Sequence, residues 1–228
     1  MLWDVDFTLL DAGGTGRMVY ASVFRDLFGR DPDGVAPMGG RTERAIILDT
    51  LTRAGISDPA RHVDAFVAEL TRRAPALGAT FAARGRALPG AAAALAAVAA
   101  LGPAVVQSVL TGNVPAMARA KLAAFGLDRH LDLGIGAYGD HHEVRAELVH
   151  LARRLARAAY GRDFGGQATV LVGDTPLDVA AALATGARAV GVATGGPTAA
   201  ELAAAGADAV LPDLTDTAAV VAAVTGAR

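Results

Sequence analysis

Two aspartates and a threonine occupy alternate positions in Asp4-Val5-Asp6-Phe7-Thr8. Side chains at i and i+2 of an extended chain share a face, so a strand over Leu2–Val5 would send Asp4 and Asp6 out of its end together. Carboxylates that close repel unless a cation lies between them or one holds a proton. A hard, oxygen-bound cation such as Mg²⁺ suits the pair. One aspartate is then free to act as a nucleophile while its neighbour moves protons. A short D-x-D string alone is more often a turn or a solvated loop charge, so its meaning rests on what the remaining chain brings to it.

Two further segments carry matching chemistry. Leu110-Thr111-Gly112-Asn113 places a hydroxyl and a glycine where an apolar run gives way to a helical pattern. A hydroxyl beside backbone N–H groups at a helix start holds phosphate well, and Gly112 lets the backbone come close to a ligand. Gly173-Asp174-Thr175-Pro176-Leu177-Asp178 supplies two more carboxylates, with Asp178 one helical turn beyond Asp174. Asp174 could complete an oxygen cage around a cation.

These segments need a scaffold that brings strand ends together, and the hydrophobic pattern predicts one. After Leu2–Val5, residues 7–16 read as loop. Helices are expected near Arg17–Phe28, Arg41–Ala54, Asp58–Arg73 and Pro75–Arg86, with no strand among them. Beyond Leu88-Pro89-Gly90 the character changes. Strands are predicted at Val105–Thr111, Leu131–Ala137, Ala168–Val172, Ala187–Val192 and Ala209–Leu211, with helices at Ala91–Leu101, Val114–Phe125, Glu143–Tyr160, Leu177–Thr185, Thr198–Ala205 and Thr215–Val224. Strands alternating with helices imply parallel pairing in a doubly wound α/β sheet, and such sheets bind ligands beyond the C-terminal ends of their strands. The expected organisation is a Rossmann-like core from residues 1–12 and 87–228 with a small all-helical domain inserted at 13–86.

Composition removes several alternatives. The 228 residues are 53% hydrophobic, enough for a sizeable core, and the net charge of −2 gives no electrostatic case for nucleic acid or an anionic membrane. Cysteine is absent, which excludes disulfides, thiolate metal sites and cysteine catalysis. The five histidines show no zinc spacing. Twenty of the 21 basic residues are arginine, a bias of codon usage rather than chemistry. The uncharged stretch Ala87–Ala118 is cut by Pro89-Gly90, Gly102-Pro103 and Gly112-Asn113, so it reads as helix, turn and buried strand rather than a membrane span. A cytoplasmic protein, monomeric or homodimeric, is expected.

Taken together, Asp4-Val-Asp6-Phe-Thr8, Leu110-Thr111-Gly112-Asn113 and Gly173-Asp174-Thr-Pro-Leu-Asp178 resemble, in order and separation, the first, second and fourth motifs of the haloacid dehalogenase-like hydrolases. The chain looks most like that superfamily's phosphoglycolate-phosphatase-like members, and residues 13–86 look like their helical cap. The resemblance implies Mg²⁺-dependent hydrolysis of a small phosphorylated metabolite. Asp4 would attack phosphorus and become an aspartyl-phosphate, and Asp6 would protonate the leaving oxygen and then deprotonate water. Asp4, Asp174 and the backbone carbonyl of Asp6 would hold the metal, and Asp178 would support that site or position a cation. Thr111 would bind phosphate oxygens, with Thr8, Gly112 and Asn113 as neighbouring substrate contacts.

Departures from the pattern shape the remaining expectations. The third motif, a Lys or Arg, has two candidates. Lys121 is favoured by resemblance, but it lies about three turns into the helix after Thr111, which would carry it roughly 12 Å or more from the site at 1.5 Å per residue. Arg145 is favoured by geometry, at the start of the following helix. Phe7 stands where the family usually has glycine, and either narrows the entrance or packs under the cap. Arg41-Thr42 reads equally as a substrate-touching cap loop or as an ordinary helix start with Thr42 capping. Arg153, Arg154 and Arg157 read as a solvated helix face, and Phe24, Phe28 and Phe66 as cap core. A phosphomutase, which shares the aspartyl-phosphate, and a non-catalytic phosphate-ligand-binding protein are the alternatives.

Overall fold

The computed structural model describes residues 1–227. Eight strands are β1 (Leu2–Trp3), β2 (Leu10–Asp11), β3 (Arg86–Ala87), β4 (Ser108–Thr111), β5 (Ala137–Tyr138), β6 (Val170–Gly173), β7 (Arg188–Val192) and β8 (Ala209–Leu211). Six of them form one parallel sheet in the order β5-β4-β1-β6-β7-β8. The chain runs outward from β1 through β4 to β5, then crosses to β6 and builds the other half. The reversal places a crevice beyond the C-terminal ends of β1, β4 and β6, where open sheets of this kind bind ligands. Register brings those ends level, with Trp3 opposite both Val109 and Val172.

The strands of this sheet are mostly apolar because both faces are covered. Trp3, Val109 and Val172 point to one side, against α5 (Ala91–Ala99), α6 (Pro115–Ala124) and α10 (Thr217–Thr225). Leu2, Leu110 and Leu171 point to the other, against α7 (Arg145–Tyr160), α8 (Pro176–Ala184) and α9 (Ala199–Ala204). Trp3 satisfies its buried indole N–H by donating to Gln107 Oε1 at 3.0 Å.

The cap helices are α1 (Thr15–Phe28), α2 (Glu43–Arg53), α3 (Val63–Arg73) and α4 (Gly78–Arg84). Phe24, Phe66 and Phe81 are fully buried among them, and Phe28 packs at the edge, so the aromatic residues form cap core as expected. The cap is tied to the core at the start of α2. Glu43 N–H donates to the Gly112 carbonyl at 2.9 Å, Arg44 N–H to the Gly139 carbonyl at 3.1 Å, and Thr42 Oγ1 to the Glu143 carbonyl at 2.8 Å.

Three local expectations are corrected. The strand predicted at Leu131–Ala137 shrinks to Ala137–Tyr138, because Gly134 and Gly136 break the run and Asp132 Oδ1 accepts from Gly134 N–H to form a turn. The loop after the first strand and the end of the helical segment instead pair as an antiparallel ribbon, β2 with β3, where the chain enters and leaves the cap. Arg153 is not merely solvated, since its guanidinium donates to Thr169 Oγ1 and to the Thr185 and Gly166 carbonyls.

Candidate active site

Asp4 leaves the end of β1 with its backbone N–H bonded to the Val172 carbonyl at 2.8 Å. Its carboxylate meets those of Asp174 and Asp178, and ligand oxygens of the three lie within 4.8 Å of one another, all buried. Burial raises the pKa of Asp4, opposed by Arg145 and reinforced by Asp178 and Asp6. Burial also raises that of Asp174, and Asp4 and Asp178 add to the rise. Desolvated carboxylates that repel one another form a site in need of positive charge.

Part of that charge is Arg145. Its Nη2 lies 3.0 Å from Asp4 Oδ1 and 2.5 Å from Asp178 Oδ1, and it also donates to the Leu110 carbonyl at 3.2 Å. The side chain is only 7% exposed. Burial alone would make the guanidinium easier to deprotonate, but Asp178 and Asp4 more than offset it and its pKa is raised. Asp178 also closes a capping box at the start of α8, accepting from Thr175 Oγ1 and N–H through Oδ2. Helix capping and site electrostatics therefore use different oxygens of one carboxylate. Gly173 makes room for it, since a Cβ there would fall 2.2 Å from Asp178 Cγ.

Asp6 has different company, although it is only two residues from Asp4. Lys121 Nζ donates to its two oxygens at 2.8 and 2.6 Å and to Asn113 Oδ1 at 2.6 Å, while Asn113 Nδ2 donates to Asp6 Oδ2 at 2.7 Å. Among the metal-candidate residues, the Asp6 carboxylate thus stands outside the group formed by Asp4, Asp174 and Asp178. The expected distance for Lys121 is corrected as well. Residues 112–114 turn the chain back before α6 starts, and Lys121 shares the buried face of that helix with Met117 and Leu122, so its long side chain returns to the sheet end. Lys121 and Arg145 each attend one aspartate of the opening motif.

Thr111 and its neighbours close the β4 side of the site. Thr111 Oγ1 accepts from Asn113 N–H and Nδ2 and does not cap α6, whose N-cap is Val114. Thr8 Oγ1 donates to Asp174 Oδ1 at 3.3 Å, so it supports a carboxylate. The missing side chain of Gly112 serves the cap, because a Cβ there would fall 2.1 Å from the Arg41 carbonyl oxygen. Arg41 lines the cavity but is engaged by Asp49 at 2.7 Å, and Thr42 is the N-cap of α2, so the helix-start reading of Thr42 holds.

Sequence reasoning missed Glu43. It is buried, lines the same cavity, and accepts a hydrogen bond from buried Tyr20 Oη. Burial pushes its pKa up to about 7, with the Tyr20 hydrogen bond and Lys121 pulling down and Asp6 pushing up. Its position just after an N-cap is where an acidic residue ordinarily faces solvent and the helix dipole, which concealed it. The cavity that these groups enclose between cap and core measures about 240 Å³, small for a ligand pocket.

No curated protein matches the chain by sequence. Solved structures share its fold along nearly its whole length. A protein from Bacteroides fragilis assigned as a haloacid dehalogenase-like hydrolase is 21% identical, covering 94% of this chain and 96% of its own, with a TM-score of 0.67. One from Haemophilus somnus predicted to be a phosphoglycolate phosphatase is 16% identical over 96% of each chain, with a TM-score of 0.64. One from Bacteroides vulgatus assigned as a β-phosphoglucomutase is 16% identical over 98% of this chain and 88% of its own, with a TM-score of 0.63. The family model for haloacid dehalogenase-like hydrolases matches residues 1–183, a span that contains all three polar strand ends, and the chain belongs to that family.

Proposed function

We propose that this protein hydrolyses a small phosphate monoester through an aspartyl-phosphate on Asp4. The observation that carries the reading is the split environment of the two opening aspartates. Asp4 lies buried among carboxylates and Arg145, whereas Asp6 is held by Lys121 and Asn113 with its side chain 31% exposed. Carboxylates that share a site but not an environment can divide the roles of nucleophile and proton carrier.

In this reading an Asp4 oxygen attacks phosphorus, the ester P–O bond breaks, and Asp6 gives its proton to the departing alkoxide. Asp6 then takes a proton from the water that attacks the aspartyl-phosphate, releasing phosphate and restoring Asp4. Lys121 and Asn113 hold Asp6 on the leaving-group side. In the same reading Thr111 and nearby backbone N–H groups bind the phosphoryl oxygens, and Arg145 steadies Asp4 against Asp178. Asp4, Asp174 and Asp178 have the donor chemistry to hold Mg²⁺, with the Asp6 carbonyl as a further oxygen. The ion when bound supplies charge neutralisation at the phosphoryl oxygens.

The test is hydrolysis of p-nitrophenyl phosphate with Mg²⁺, with EDTA, and by Asp4→Asn. Metal-dependent release that disappears in the variant supports the reading. Phosphoryl transfer between two positions of a sugar phosphate, without net release, would assign a phosphomutase instead. Correctly folded protein that binds phosphate esters but turns none over would overturn the enzymatic reading.

A further inference from the structure

Phe7 combines three features that ordinary packing does not explain. Its φ is +58°, a left-handed conformation that glycine adopts freely and a bulky side chain adopts at a cost. The residue is 46% exposed, so burial in the core does not offset that cost. Phe7 also lines the cavity that contains Asp4 and Asp6. The backbone is held in this conformation from both sides, with Phe7 N–H donating to the Leu10 carbonyl at 2.7 Å and the Phe7 carbonyl accepting from Thr194 Oγ1 at 2.5 Å. Backbone strain retained at a ligand site points to a role there.

The rest of the cavity agrees. Ala12, Met38 and Ile46 line it along with Phe7. Most of its polar groups are already engaged within the protein: Asp11 with Gly13 N–H and Arg86, Arg41 with Asp49, and Glu43 with Tyr20. Arg17 lies at the exposed rim. A polyol would find few free partners here, whereas an apolar or planar group would meet an aromatic face and three aliphatic walls.

We infer that Phe7 is a specificity-determining residue, selecting phosphate monoesters whose leaving alcohol presents an apolar or aromatic face next to the ester oxygen. The inference rests on the phosphatase reading, and its test separates the two. Benzyl phosphate and glycerol 1-phosphate are compared as substrates, because both release a primary alcohol. Benzylphosphonate and 2,3-dihydroxypropylphosphonate are compared as ligands by calorimetry, where no turnover is needed. The wild type is expected to favour the benzyl compound by tenfold or more in kcat/KM and in Kd. Phe7→Gly relieves the backbone and removes the ring, while Phe7→Leu keeps the backbone demand and removes only the ring. Both are expected to cut the preference by about tenfold, and Leu101→Ala, an exposed apolar change outside the cavity, is expected to keep it. A wild type without benzyl preference in either assay, or a Phe7→Leu variant that keeps the preference, overturns the inference. Absence of hydrolysis with a ring-dependent difference in phosphonate affinity would overturn the phosphatase reading and leave the Phe7 assignment standing.

Discussion

Glu43→Gln should make the protein more tolerant of alkaline pH. In the folded state the Glu43 carboxyl is raised from 4.5 to about 7, chiefly by burial, while in the unfolded chain it titrates near its ordinary value. Between those limits the folded protein keeps a proton that the unfolded chain has released, so stability falls as pH rises through the window. Each pH unit can cost up to ~1.4 kcal/mol, which puts the full loss at about 3 kcal/mol. Below pH 4.5 both states are protonated and Glu43 contributes no pH dependence. Above 7 both are ionised and the whole cost is present. Glutamine keeps an oxygen for the Tyr20 hydroxyl and has nothing to titrate. Urea unfolding of wild type and Glu43→Gln at half-unit steps from pH 4.5 to 8 isolates this group, because titrations common to both proteins cancel in the difference. Glu43→Gln should gain about 3 kcal/mol on the wild type across the series, nearly all of it before pH 7.5. A pH-independent difference, or a wild type that gains on the variant as pH rises, would refute the reasoning.

Arg145→Met should lose about 3–5 kcal/mol in urea unfolding with EDTA present, because Asp4 and Asp178 remain buried without their shared cation. Millimolar Mg²⁺ should recover part of that loss, and a variant as stable as wild type in EDTA would contradict the electrostatic account. Asp174→Asn should abolish any Mg²⁺-induced rise in the wild-type Tm, measured by scanning fluorimetry. Asp6→Asn should reduce kcat by about 10²–10⁴-fold with a smaller effect on KM, as expected for loss of a proton-transfer group. Gly112→Ala should cost about 1–3 kcal/mol through the clash with the Arg41 carbonyl, and its KM should rise if the cap loop is displaced.

The polar strand ends could be read from the sequence because each is local. Asp4, Thr111 and Asp174 all follow apolar runs directly, and alternation of strands with helices implies the parallel order that brings the runs together. What could not be read depends on where long side chains reach. The position of Lys121 depends on how α6 turns back after Gly112, and spacing along a helix axis does not contain that turn. Arg145 and Lys121 looked like competitors for one role because sequence order cannot show that each faces a different aspartate. Glu43 and Tyr20 are 23 residues apart on separate helices, and nothing local to either one marks them as a buried pair. The strand expected at Leu131–Ala137 proved shorter for the opposite reason. Its apolar pattern was visible, but Gly134 and Gly136 favoured a turn over pairing.

The bonds that fasten the start of α2 to the core also provide a clock. Amide protons of Glu43 and Arg44 are held by carbonyls at Gly112 and Gly139, across the line where cap meets core, and not by the helix they begin. These two amides become open to exchange with deuterated solvent when cap and core part. Amides deeper in α2 exchange only when the helix itself unwinds. A difference in rate between the two groups would measure how often the cavity is open to substrate in the resting protein, without any ligand or label.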